Sequence, residues 1–169
     1  MKSINNKQIN DITFIGSGIA TSFTLVAFLE EFNKDNSLEY PIKIAIIDKS
    51  QEFHTGLAYG PTSGSSALLI TSLADFLPEG RERQEFLSWL ADNKEHLINE
   101  LREDGGSLSE NWINTHAKDI ENHTFEDVYL PRHFFGVFIK QKLEEIKKLN
   151  KLKKDLLDYF YGLIKKSNN

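Results

Sequence analysis

The chain has 169 residues, 40% of them apolar and 27% charged, enough for one compact core and too few for two ordinary domains. It contains no cysteine, which excludes a thiolate nucleophile, a cysteine zinc site, an iron–sulfur ligand set and a disulfide framework, and points to a reducing, cytoplasmic setting. The net charge of -5 is unevenly placed: from Lys140 onward nine lysines face four acids, a local +5, so the preceding segment carries -10. An acidic body does not attract nucleic acid. The lysines of the tail alternate with leucines at helical spacing, the pattern of a solvated helix face, so no nucleic-acid partner is expected.

Ile12 to Ile15 reads as a short buried strand running into a glycine turn. A helix should begin at Ile19, with Phe23, Val26 and Ala27 at three- and four-residue steps, and give way to the polar stretch Asn33 to Ser37. Ile12 to Leu29 as a whole is uncharged and superficially like a membrane anchor. Gly16, Gly18 and the hydroxyl residues Thr13, Ser17, Thr21, Ser22 and Thr24 speak against that, and no small-x-small cleavage site follows, so no membrane segment is expected. Ile42 to Ile47 is nearly continuous aliphatic sequence ending in Asp48, the mark of a parallel strand covered on both faces. Strand, helix and strand form one βαβ unit.

Ser50 to Ser66 is rich in Gly, Ser, Thr and Pro and reads as a long loop with short regular pieces. Helical period returns from Arg81 to Leu101 through Phe86, Trp89, Leu90, Leu97, Ile98 and Leu101, and Asp104, Gly105 and Gly106 break it. Asn111 to Asp127 fits no single pattern. Pro131 can open a helix whose apolar face is Phe134, Phe135, Phe138, Ile139, Leu143, Ile146 and Leu149, extended in the same period through Leu152, Leu156, Phe160 and Leu163. No later run reads as a third parallel strand.

The chemistry concentrates in Gly16-Ser17-Gly18-Ile19-Ala20-Thr21, where a strand turns into a helix. Gly16 permits the tight turn, Gly18 lets the backbone approach a pyrophosphate, and the helix N-terminus offers unpaired N–H groups carrying about half a positive charge. The third fingerprint position, usually Gly or Ala, is Thr21. Asp48, 27 residues further on, ends the second strand, where a carboxylate can accept hydrogen bonds from an adenosine ribose. A free aspartate titrates near pH ~3.9, so its negative charge repels a 2′-phosphate and favours FAD or NAD over NADP. Phe134, Phe135, Phe138 and Trp89 follow helix spacing and read as core. The five histidines form no HExxH-type pair, and no GxSxG turn occurs, so neither a metal site nor a catalytic residue is expected.

These segments together resemble the FAD-NAD(P)-binding flavoproteins that begin with a Rossmann-type FAD domain. The resemblance spans most of Ile12 to Ile139 and rests on IGSGIA, IAIIDKS, GLAYG at Gly56 to Gly60, the leucine pair Leu68 and Leu69, FLSWL from Phe86, and LPRHFFGVFI from Leu130. Ile70-Thr71 stands where the family commonly has an Asn-containing turn. The resemblance implies an α/β, partial Rossmann-like fold: a parallel βαβ core followed by helices. It implies a cofactor-binding set of Gly16, Ser17, Gly18, Ile19, Ala20, Thr21, Asp48 and Lys49, with Arg132 as a phosphate-neutralising candidate, and FAD as cofactor with NAD(P) as the alternative.

Family members continue with further strands after the LPRHFFG helix. The expected organisation is therefore an incomplete dinucleotide-binding domain over residues 1–139 and a lysine-rich amphipathic helix over 140–169. The expected role is the FAD-binding portion of an oxidoreductase, inactive alone and completed by a companion chain or a second copy. The alternative is a noncatalytic interaction module that uses the apolar stripe of the last helix.

Overall fold

The computed structural model describes residues 10–34, 42–49, 53–154 and 157–163, with side chains as far as residue 149. In chain order the elements are β1 (Ile12–Ile15), α1 (Ile19–Lys34), β2 (Ile42–Asp48), α2 (Gly56–Tyr59), a 3-10 turn at Pro61–Ser63, α3 (Leu73–Phe76), α4 (Arg81–Asp104), α5 (Gly106–Thr115), α6 (Ala117–Asn122), α7 (Arg132–Lys154) and β3 (Leu157–Leu163). Contacts divide the chain into two compact units, Met1–Gly56 with Gln141–Asn169, and Leu57–Lys140. No helix among the described residues is long and apolar enough to cross a membrane.

The first unit is a parallel three-stranded sheet in the order β1-β2-β3. Ile12 lies opposite Ile44 and Ile15 opposite Ile47, while Ile42 to Asp48 pair with Leu157 to Leu163. Ile44, Ala45 and Ile46 are buried in succession, so the central strand is covered on both faces, as its unbroken aliphatic run predicts. Leu25, Val26 and Leu29 of α1 and Leu143 and Ile146 of α7 complete this core, flanked by Ile12, Phe14, Phe28, Ile42 and Phe53.

Two expectations are corrected here. The terminal helix stops at Lys154 and does not reach Leu163; Leu157–Leu163 is a parallel strand on β2. The leucines and Phe160 happen to continue the helical period, but Leu-Asp-Tyr-Phe-Tyr-Gly-Leu is rich in aromatics that favour a pleated surface, and pairing with β2 decides the outcome. Nor is β1 buried throughout, because Ile15 is 73% exposed. Among the described residues β1 is an edge strand, and only its Ile12 and Phe14 face packs on the core. Four apolar residues in a row look alike whether one face or both are covered.

The second unit is helical with an aromatic core. Phe135 meets Phe76 edge-on at 4.8 Å and Phe86 at 5.1 Å, and Phe86 lies 5.0 Å from Phe138. Phe134, Phe135 and Phe138 are buried and Trp89 stacks on Phe86 at 5.9 Å, so the helix-face reading of these rings holds. The apolar stripe of α7 is turned inward as far as Ile146; the continuation that the interaction-module reading needs, beyond Leu149, lies outside the described side chains.

Three quoted motifs meet in this unit for visible reasons. The leucine pair runs beside the segment before α7, with Leu69 N–H donating to Leu130 O at 2.8 Å and Arg132 N–H to Ala67 O at 2.9 Å. At Gly136 a Cβ would come within 2.1 Å of the Tyr59 carbonyl oxygen, so α7 packs directly on the backbone of the GLAYG segment. The unassigned stretch Asn111 to Asp127 holds the end of α5 and all of α6.

Candidate functional site

The turn between β1 and α1 is built by three sets of hydrogen bonds. Gly16, at φ +93°, donates its N–H to Ile47 O at 2.7 Å, tying the turn to the end of β2. Thr21, where glycine or alanine is usual, turns its Oγ1 back to the Gly16 carbonyl at 2.9 Å. The hydroxyl thus closes the turn from within the helix, which accounts for a β-branched residue at this place. Ser17 is fully buried, and both its N–H and its Oγ donate to Asp48 Oδ2, at 2.5 and 2.9 Å.

The carboxylate at the end of β2 is therefore drawn onto the glycine turn by the residue between the two glycines. A Cβ placed on Gly16 or Gly18 meets no heavy atom of the described residues within 4 Å, so no described side chain fills the flank of the turn on which both glycines lie. The first turn of α1 follows at once, and its leading N–H groups have no acceptor within the helix. Ile19 and Thr21 are half-buried and Ala20 is exposed. Open backbone, the leading helix N–H groups and an adjacent carboxylate suit an anion linked to a polyol.

A second segment, which sequence reasoning did not assign to the site, covers the turn. His54 N–H donates to Ser17 O at 2.8 Å and Ser22 Oγ donates to His54 O at 2.7 Å, a buried bond. His54 holds φ +84° and Gly56 φ +64°, and a Cβ on Gly56 would lie 3.1 Å from Gly18 Cα. The His54 ring is 3.4 Å from Lys147 Nζ, which pairs with Glu144 at 2.9 Å. Burial alone would raise the Glu144 carboxyl, but the hydrogen bond and charge of Lys147, helped by His54 and Lys148, bring it below its usual value. The available signal for this segment was the first glycine of GLAYG, whose contact lies 38 positions upstream.

The remaining expected site residues stand apart from the turn's hydrogen bonds. Lys49 is exposed just past β2. Arg132 belongs to the second unit, on the first turn of α7, and its buried Nε has no hydrogen-bond partner among the described residues. No group of three or more potential metal ligands occurs among the described residues.

A family model described as FAD-NAD(P)-binding matches residues 13–155. Uncharacterized proteins of Mycobacterium bovis and Mycobacterium tuberculosis are 31% identical to the chain over 133 residues, covering 79% of this chain and 25% of each relative. The chain thus spans about a quarter of the length of the curated relatives it matches. No solved structure matches it at a significant level.

Proposed function

Because this chain belongs to the FAD-NAD(P)-binding family, we propose that it binds the ADP half of FAD at the turn between β1 and α1, within a Rossmann-like half-sheet. The diphosphate lies along Gly16 and Gly18 and takes hydrogen bonds from the N–H groups of the first turn, Ile19 to Thr21. Asp48 accepts from the ribose hydroxyls, and Ser17 fixes the direction of that carboxylate. Lys49, just past β2, answers the negative charge of the phosphates. A carboxylate at the ribose disfavours a 2′-phosphate, which ranks FAD and NAD above NADP.

The observation that carries this reading is the double hydrogen bond from Ser17 to Asp48, beside a pair of glycines against which no described side chain lies. Bound flavin supplies hydride chemistry; this chain contributes the nucleotide grip within a larger oxidoreductase. The edge of β1 away from β2, which no described strand pairs, is where strands from a companion segment would continue the sheet.

Calorimetric titration with FAD, NAD, NADP and ADP tests the proposal. Binding of ADP and FAD, with NADP at least tenfold weaker than NAD, is the expected result; no heat with any of the four at millimolar concentration overturns it.

A further inference from the structure

We infer that Gly56 is a positioning residue for the diphosphate, a third glycine that completes the nucleotide turn in space although it lies 38 positions beyond Gly18 in sequence. This inference rests on the dinucleotide reading of the turn. In the usual fingerprint the third glycine sits on the helix and allows it to approach a strand. Here that position is Thr21, spent on the Gly16 carbonyl, and the close backbone approach has moved to the Gly18 and Gly56 pair.

The geometry makes Gly56 consequential for the ligand. A Cβ there would stand 3.1 Å from Gly18 Cα and 4.0 Å from Ile19 N. These are backbone atoms, not the yielding end of a side chain, so the turn itself must give way. Its φ of +64° also disfavours any side chain. The covering loop cannot simply retreat, because His54 N–H is bonded to Ser17 O and Ser22 Oγ to His54 O, and Ser17 and Ser22 are fully buried. Displacement therefore falls on Gly18 and Ile19, whose N–H groups face the diphosphate. Asp48 is held separately, through Ser17 Oγ and N–H.

A structural defect and a positioning defect are separated by comparing ADP with adenosine, which lacks the diphosphate. Gly64→Ala is the control: its φ is +78°, so it suffers the same backbone strain, but a Cβ there meets nothing within 4 Å. In Gly56→Ala the affinity for ADP falls about tenfold to a hundredfold, the loss of one or two charge-assisted hydrogen bonds. Adenosine affinity stays within about twofold, and Gly64→Ala changes neither. Equal losses for both ligands, or an unchanged ADP affinity in a folded Gly56→Ala protein, overturn the inference while leaving the dinucleotide reading intact. A native chain that binds neither ligand overturns both. Should Gly56→Ala fail to fold, Ser22→Ala loosens the same loop without adding an atom: a several-fold loss for ADP alone supports the inference, and an equal loss for both ligands or none refutes it.

Discussion

Asp48 gives the sharpest handle on how the turn is held. Asp48→Ala strands two donors on Ser17, an N–H and an O–H, on a residue with no exposure to solvent. Leaving a buried donor unsatisfied costs about 1–3 kcal/mol, and both bonds end on a carboxylate, the stronger kind. The half-buried setting of Asp48 lets water recover some of this, so the expected cost is about 2–4 kcal/mol. Asp48→Asn retains an oxygen acceptor and should cost about 1 kcal/mol. Ser17→Ala removes the hydroxyl alone, at about 1–2 kcal/mol, and the Ser17→Ala, Asp48→Ala double variant should show a coupling of about 1 kcal/mol, since the pair shares one interaction. Urea denaturation followed by circular dichroism reads all four, and in a thermal melt Asp48→Ala should unfold roughly 4–16 °C below the native chain. An Asp48→Ala protein as stable as the native one, or additive single effects, would refute the claim that Ser17 and Asp48 hold the turn together.

Other positions separate folding from binding. Gly136→Ala places a methyl 2.1 Å from the Tyr59 carbonyl oxygen and should destabilise the second unit by about 3 kcal/mol or more, measured by thermal melting; a loss below about 0.5 kcal/mol contradicts that packing. Gly18→Ala meets no atom within 4 Å, so its stability should stay within about 1 kcal/mol while ADP affinity collapses, because the new methyl enters the ligand's space. Unchanged ADP binding in a folded Gly18→Ala protein counts against the placement of the diphosphate. His133 is buried, and neither ring nitrogen has a hydrogen-bond partner among the described residues. Burial pushes its pKa below the ordinary 6.5, partly offset by the charge of Glu100. The unfolded chain then binds the extra proton more readily, so stability is lost as pH falls below 6.5 toward the lowered native value. His133→Leu should flatten that part of the profile in denaturation series from pH 7.5 to 5, and an identical slope would argue against it.

The unit of β1, α1 and β2 was legible in the residues because its signals are local. Ile12–Ile15, the helix from Ile19 and Ile42–Asp48 each carry their own period and stop signal, and a β-branched run ending in glycine or aspartate has few other uses. Arg81 likewise opened a helix at the expected residue. What escaped was decided by distant partners. Leu157–Leu163 shares its apolar spacing with the preceding helix and becomes a strand by pairing with β2. Ile15 is exposed because it shares with Thr13 the face of β1 opposite the packed Ile12 and Phe14. The short α3 depends on one cap, Ser72 Oγ accepting from Asp75 N–H, and is too brief to show a period. Gly16, Ser17 and Asp48 meet because they end strands that are readable as paired neighbours, whereas Gly56 against Gly18 is a contact between loops that no periodicity encodes.

The central claim, that a diphosphate lodges on the glycine turn, is tested most directly by following backbone amide resonances of the isotopically labelled chain during titration with ADP. The largest shifts should fall on Gly18, Ile19 and Ala20, with Ser17 and Asp48 moving at the same ligand concentrations. ADP that binds but shifts amides elsewhere and leaves these residues still would contradict the account.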